Sequence, residues 1–404
     1  MRALNRNVYL FFIATSLSAI GAGVFAVVFN LYALSLGISV DALGGILTAG
    51  PLAQVTGAIP VGILGDRLGH RQAFLLIYTM AGLAYLAQAA VVVPTLIWAA
   101  IFMNALAISG DFVVRLPFLA ANTDNRHRGL AFSASAILSS VATSVGALLG
   151  GFAPTALSHV TPNLTAAYRY TLYGAAALTL SAALPILLVG EQRPSAARPL
   201  RLRSYLAGIG PNTQRLAFVE FFGGLTMGLA MPFANVYFVH HLGATREFFG
   251  TVSAFLVVPA VLITAAGPLL AGWLGTIRSI SAARLLMPAA CLALALTVSP
   301  LLGAAAYCSL RALFMMGQSQ WFAFSMEASD SESQAATSAW LNITYWLGNA
   351  LMTPVVGLLI ARGNYGIPFL LAAATGMVGS ALTYLYFHSF DAPRAGARPS
   401  LAAN

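Results

Sequence analysis

Residues 8–35 run for twenty-eight positions without a charged side chain, and apolar stretches of similar length recur along the chain. About twenty such residues in a helix cross a ~30 Å hydrocarbon core. Inside lipid, every backbone N–H and C=O must be satisfied within the segment, so long apolar runs are helical. The short alternating segments of a membrane β-barrel are not visible. Only 8% of the residues are charged against 59% hydrophobic, and the mean hydropathy is +0.82. An ordinary soluble domain is about 25% charged, so lipid is the solvent this sequence is built for. The first run is too long for a cleaved secretory signal and lacks a small-residue cleavage site, so it reads as the first span.

The apolar runs between polar turns predict twelve helices over residues 8–35, 43–64, 73–92, 95–121, 130–154, 166–189, 214–240, 248–274, 281–300, 302–326, 335–361 and 366–388. All basic residues are arginine. With the N-terminus inside, fifteen of the twenty, Arg284 among them, fall on cytoplasmic turns, the linker or the tail; three (Arg169, Arg246, Arg362) fall outside and two (Arg115, Arg311) within spans. That asymmetry predicts cytoplasmic termini and a multi-pass protein of the inner (plasma) membrane.

The polar stretch Glu191–Ser204 divides six helices from six. The expected organisation is an N-terminal bundle over 1–190, a linker over 191–213, a C-terminal bundle over 214–390 and a tail over 391–404. The halves repeat: Leu31–Gly45 matches Tyr237–Thr251, and Ala121–Ser133 matches Glu327–Ser338, both at an offset of 206. Gly62–Arg71 is paired with Gly272–Arg284 at an offset of 210, implying about four extra residues in helix 8 and placing Thr276 opposite Asp66. The fold class is therefore an all-α membrane protein of twelve transmembrane helices in two pseudo-symmetric six-helix bundles, an architecture that rocks about a central site.

Cys291 and Cys308 lie in apolar runs, and no Cys/His cluster has metal-ligand spacing, so neither a disulfide framework nor a metal site is expected. No HExxH, GxSxG or phosphate-binding loop is present; an enzyme is not expected, and no cofactor is implied. The arginines are scattered over short turns, so the basic balance reflects topology and not nucleic-acid binding.

The turn GILGDRLGHRQ, Gly62–Gln72, gathers an acid, two arginines and three glycines at one point. It resembles the loop 2–3 signature of the major facilitator superfamily, G-x-L-a-D-r-x-G-r-k, through Gly62, Leu64, Asp66, Arg67, Gly69 and Arg71. The resemblance implies alternating access and a conformational latch formed by Gly62, Asp66, Arg67, Gly69 and Arg71, with Asp66 engaging the start of helix 11. A second stretch, VGALLGGFAP (Val145–Pro154), is similar to the helix 5 motif of the drug:proton antiporter branch, with Gly146, Gly150 and Gly151 as the packing glycines. Ala147 stands where that branch often has proline, and Leu106 where it often has arginine.

Ionisable residues inside a span each cost about 2.5–3.5 kcal/mol on insertion scales and so mark structure or function. Asp111 and Arg115 are four apart on helix 4, hence on one face with Asn104. They form either a neutralised structural pair or a proton-coupling site. Glu220 on helix 7 shares a face with Gly224, Met227, Met231 and Asn235, and no cation lies close to it in its span; it is the other proton-coupling candidate, unless it simply reaches water at the cytoplasmic edge. Arg311 on helix 10 shares a face with Met315 and Gln318, with Trp321 adjacent. Asn342, Tyr345, Trp346 and Asn349 form a polar and aromatic stripe on helix 11. The substrate-cavity candidates are therefore Asn104, Asn235, Arg311, Gln318, Trp321, Asn342, Tyr345 and Trp346.

The expected function is secondary active transport, with proton-coupled export of small organic or amphipathic molecules leading. Uptake or facilitated passage of a small anionic or polar metabolite is the alternative, and a transport-dead sensor is a different class. The partners expected are a small-molecule substrate, protons and the lipid bilayer, with the protein a monomer.

Overall fold

The computed structural model describes residues 5–124, 126–190, 210–329 and 334–391, with side chains for all of these except 58–67, 335 and 391. The expected linker and tail fall almost wholly outside the described residues. Six helices make the first half: α1 (Arg6–Ser35), α2 (Val40–Leu47, running on through Thr48 as Ala49–Leu68), α3 (His70–Ala90), α4 (Pro94–Ala121), α5 (Arg128–Ser158) and α6 (Leu164–Ser181, then Ala183–Leu187). Six make the second: α7 (Pro211–Ala230), α8 (Arg246–Phe255, then Val257–Leu274), α9 (Thr276–Leu296), α10 (Pro300–Glu327), α11 (Gln334–Ala361) and α12 (Ile367–Phe387). All but α2, much of which lies in the stretch without described side chains, are long and apolar enough to cross a membrane.

Local sequence explains the breaks. Pro94 and Pro300 open α4 and α10, where the missing N–H has no helical partner to lose. Gly69 (φ +74°) and Gly275 (φ +92°) make the turns after α2 and α8, in a region that other residues enter at a cost. Helix α7 stops at Ala230, just before Pro232, resumes over Ala234–Val236 and ends in a π turn, Tyr237–His241.

These boundaries fix the internal repeat at one offset. Gly37 and Gly243, Val40 and Arg246, Gly69 and Gly275, His70 and Thr276, Pro94 and Pro300, and Arg128 and Gln334 are structural counterparts, all 206 apart. Helix 8 therefore has no insertion, and the expected offset of 210 is corrected. Asp66 corresponds to Gly272, and Thr276 corresponds to His70. The misalignment arose because Leu-Gly occurs twice in the first turn, as Leu64-Gly65 and Leu68-Gly69, but once in the second, as Leu274-Gly275. Helix α9 also begins five residues before the expected 281, with Ile277, Ser279 and Ile280 buried. Arg284 is thus a residue of the span, leaving fourteen arginines on the N-terminal side of the topology against three.

Packing obeys the same symmetry. Helix α1 packs on α5 and α6, α2 on α4, and α3 on α4 and α6; α7 packs on α11 and α12, α8 on α10, and α9 on α10 and α12. Close backbone approach at glycine sets the tightest of these. A methyl carbon added at Gly146 on α5 would stand 2.1 Å from the Ile20 carbonyl oxygen on α1, and one at Gly224 on α7 would stand 2.0 Å from that of Tyr345 on α11.

The buried apolar residues form three cores. One, including Val24, Phe29, Met227, Phe233 and Phe249, crosses between bundles at the distal end, where α1 and α7 finish. The proximal end has two separate cores, one around Phe11, Phe74 and Phe118 and the other around Trp321, Phe324 and Phe387. Cross-bundle hydrogen bonds among the described residues are likewise all distal. Asn30 Nδ2 donates to the Pro232 carbonyl (2.7 Å) and to Asn235 Oδ1 (2.9 Å), Asn235 Nδ2 donates to the Val27 carbonyl (3.0 Å), and the Thr155 hydroxyl donates to Glu247. Among the described residues, then, the bundles share a core at the distal end and have separate cores at the proximal end.

An interhelical hydrogen bond in a membrane contributes about 0.6 kcal/mol. Asn235→Ala removes two of them, about 1.2 kcal/mol, and is expected to raise distal opening roughly eightfold. The rate at which an impermeant thiol reagent modifies Met231→Cys from the distal side, in a background lacking the native cysteines, measures it. An unchanged rate would mean that the asparagines do not hold the gate.

Candidate functional site

Among the described residues, three polar sites within the spans hold the ionisable residues singled out by the sequence, Asp111, Glu220 and Arg311. In the first bundle, Asp111 and Arg115 pair across one turn of α4, as their spacing predicts. Tyr78 on α3 donates its hydroxyl to Asp111 Oδ1 at 3.1 Å, and Arg115 reaches Thr15 on α1 at 3.4 Å while lying over the Phe11 ring. The pair faces a cavity of about 190 Å³ bordered by α1, α3, α4 and α5. A paired, hydrogen-bonded carboxylate avoids the desolvation cost of an isolated buried charge.

The second bundle corrects an expectation. Glu220 is fully buried and has a cation: Arg284 Nη2 donates to Oε2 at 3.2 Å, and Gln318 Nε2 donates to Oε1 at 2.6 Å. It is buried, not edge-exposed, and its partners come from two other helices, α9 and α10. Arg284 also donates to Thr383 at 3.0 Å and stacks 4.3 Å from the Trp321 ring centroid. The sequence hid this arrangement because the polar start of α9 looks like a turn. Under the 206 offset, Tyr78 corresponds to Arg284 and Arg115 to Trp321. Each bundle therefore places one arginine and one aromatic ring at the same two positions, exchanged between them, around a carboxylate.

The third site lies between the bundles. A cavity of about 330 Å³ is bordered by Leu47 and Pro51 of α2 on one side. On the other stand Met227 of α7 and Met231 just past its end, Arg311 of α10, and Tyr345, Trp346, Asn349 and Thr353 of α11. Its volume lies within the range of small-molecule sites, and its wall is mainly apolar and aromatic with a few polar groups. The structure thus brings Arg311, Tyr345 and Trp346 together. Tyr345 and Trp346 meet edge to face at 5.1 Å, and Phe314 stacks on Tyr345 at 6.0 Å.

The other cavity candidates lie elsewhere. Asn235 is consumed by the distal contacts with α1. Gln318 and the fully buried Trp321 belong to the Glu220 cluster. Asn104 is buried within the first bundle, and Asn342 is exposed on α11. Leu47 and Pro51 were missed because an apolar stretch carries no mark of which face meets the opposite bundle. Asn30 was missed as the one side-chain amide in a long apolar run.

Of the glycines near the end of α5, Gly146 and Gly150 pack inside the bundle on α1, whereas Gly151 crosses to α8 and meets Gly250. Its structural counterpart is the crossing of Gly44 on α2 with Gly357 on α11. Of the expected latch, Gly69 makes the turn, and Arg71 Nη2 donates to the Leu187 carbonyl of α6 at 2.8 Å. The side-chain positions of Gly62, Asp66 and Arg67 lie outside the described residues.

The same architecture occurs in solved transporters. The nucleoside transporter NupG matches with a TM-score of 0.78 at 14% identity, covering 94% of this chain and 99% of its own. A bacterial homologue of the human lysosomal transporter Spinster, inward-facing and unoccupied, matches with a TM-score of 0.75 at 16% identity, covering 95% and 97%. At these identities the likeness is one of fold. In sequence, the uncharacterized MFS-type transporter YfkF of Bacillus subtilis (strain 168) is 31% identical over 122 residues, a stretch that is 30% of this chain and 30% of the relative. The Major Facilitator Superfamily model matches residues 11–351, from α1 well into α11. Two six-helix bundles related by one repeat offset, the loop 2–3 signature and a match over most of the length establish the chain as a member of the Major Facilitator Superfamily.

Proposed function

We propose that the protein is a secondary active transporter that moves a small organic or amphipathic molecule through the cavity between its bundles, coupled to protons. The observation that carries this reading is the division of the apolar core: shared at the distal end, split in two at the proximal end. Two bundles of this kind exchange access by parting one end as the other closes. The paired glycine crossings, Gly44–Gly357 and Gly151–Gly250, provide thin contacts about which they rock. Methionine and aromatic side chains give the cavity an adaptable apolar wall.

The arginine distribution supports a cytoplasmic proximal end in an inner membrane, so the conformation described is open inward. Asp111 and Glu220 are the proton-coupling residues of this reading, each paired with an arginine of its own bundle. In reconstituted vesicles, Asp111→Asn is expected to abolish the response of flux to a pH gradient while leaving solute binding intact. Glu220→Gln tests the second carboxylate in the same assay. Undiminished proton-driven flux in both variants would remove these two carboxylates from the coupling; flux in the unaltered protein that ignores a pH gradient would overturn proton coupling, and absence of any solute flux would overturn transport itself.

A further inference from the structure

We infer that the solute accepted by the central cavity is an organic anion, with one carboxylate-like or phosphate-like group seated on Arg311 and an apolar or aromatic body against Tyr345, Trp346 and Met231. This assignment rests on the transport reading above and names the substrate class for the same cavity.

Three arginines lie deep in the spans, and two are accounted for by carboxylates: Arg115 by Asp111 and Arg284 by Glu220. Arg311 is different. Among the described residues no carboxylate lies within 4 Å of it, its Nε is buried without a hydrogen-bond partner, and its side chain makes a polar contact only from Nη1 to the Met231 sulfur at 4.0 Å. A thioether is a weak acceptor and carries no charge. The guanidinium is charged at any physiological pH, so the cavity holds an uncompensated positive charge beside an apolar wall.

A charge in such a place is costly unless something pairs with it, and the cavity supplies room for that partner. The planar fork of donors matches carboxylate and phosphate oxygens two at a time, which an ammonium group does not. The rings beside it add flat contact area for an apolar body, so the site discriminates by charge at one end and by shape at the other. Arg311 and Gln318 are on one face of α10, about 10 Å apart along the helix axis. Gln318 bonds Glu220, so the occupied arginine and the proton-coupling cluster share one rigid element.

The test uses Trp346 as a reporter inside the cavity. Trp98, Trp273 and Trp340 are replaced by phenylalanine, and Trp321 is kept because it is fully buried. Quenching by iodide, an anion, is compared with quenching by neutral acrylamide in the purified protein. Arg311→Gln is expected to lower iodide quenching about tenfold, the scale on which a charged cleft concentrates counter-ions. Acrylamide quenching is expected to stay the same, and Arg311→Lys to restore that of iodide. Benzoate is expected to protect Trp346 from iodide, whereas benzamide and benzylamine are not.

Iodide quenching unchanged by Arg311→Gln overturns the assignment. So does equal protection by all three ring compounds, and so does iodide recruitment without protection by benzoate, which reduces the site to halide attraction. If acrylamide fails to reach Trp346 in every variant, the cavity is not the solute path, and the transport reading of this site fails with it.

Discussion

Valine at Gly250 is expected to cost the protein most of its transport by preventing the distal end from closing. A carbon added at this position meets backbone, not a flexible side chain: the Ala147 carbonyl oxygen and Gly151 Cα, both at 2.8 Å. Neither can rotate away, so α5 and α8 must part. Forcing extra volume into a tight contact costs about 1–3 kcal/mol, and a shift of that size changes the ratio of distal-closed to distal-open molecules by about 5- to 150-fold. The counterpart crossing gives the control. Gly44→Ala places a methyl 3.0 Å from Gly357 Cα, whereas Gly45→Ala, one residue along the same helix, points into open space. Solute flux with distal cysteine accessibility is the measurement. Loss at Gly250 and Gly44 together with normal flux in Gly45→Ala is the expected pattern. Normal flux in Gly250→Val would remove these crossings from the mechanism.

The second large effect concerns the Glu220–Arg284 pair. Arg284→Met leaves a fully buried carboxylate without its cation, with Gln318 still donating to it, and breaking a buried pair in this way costs about 3–5 kcal/mol. The double variant Glu220→Gln with Arg284→Met removes both charges. It is expected to recover most of the lost stability, because no buried charge remains uncompensated. The melting temperature in detergent checks this: a marked fall for the single variant and a smaller one for the double. Transport separates structure from function in the same proteins. A double variant that is stable yet insensitive to a pH gradient assigns the pair to coupling; one that transports normally makes it structural. A single variant as stable as the unaltered protein would show that the carboxylate finds another partner.

The two effects have different origins. The glycine crossings act on the equilibrium between states, because they exist only where the bundles touch. The Glu220 cluster lies within one bundle, on α7, α9, α10 and α12, and moves with it. Asp111, Arg115 and Tyr78 are likewise internal to the first bundle. The cavity around Arg311 joins these parts, since its wall is drawn from α2 of one bundle and from α7, α10 and α11 of the other.

The amino-acid sequence by itself determined the solvent, the helices and the repeat. Apolar runs of spanning length leave a helix as the only way to satisfy the backbone in lipid, so twelve helices and two halves were legible before any coordinate. The i, i+4 pair Asp111–Arg115 was legible for a similar reason: helical spacing alone brings the two together. Partnerships between helices were not. Arg284 read as a turn residue because polar and apolar positions mix at the start of α9, and only packing shows which of them are buried. Glu220 therefore lacked its cation on paper. Hydropathy reports how apolar a segment is but not which face meets lipid, a neighbour or the opposite bundle, so the glycine crossings and the α2 wall of the cavity came from tertiary structure alone. The same holds for Arg311. The sequence shows that a charge lies in the span, but only the surroundings of the folded helix show that no carboxylate among the described residues comes to meet it.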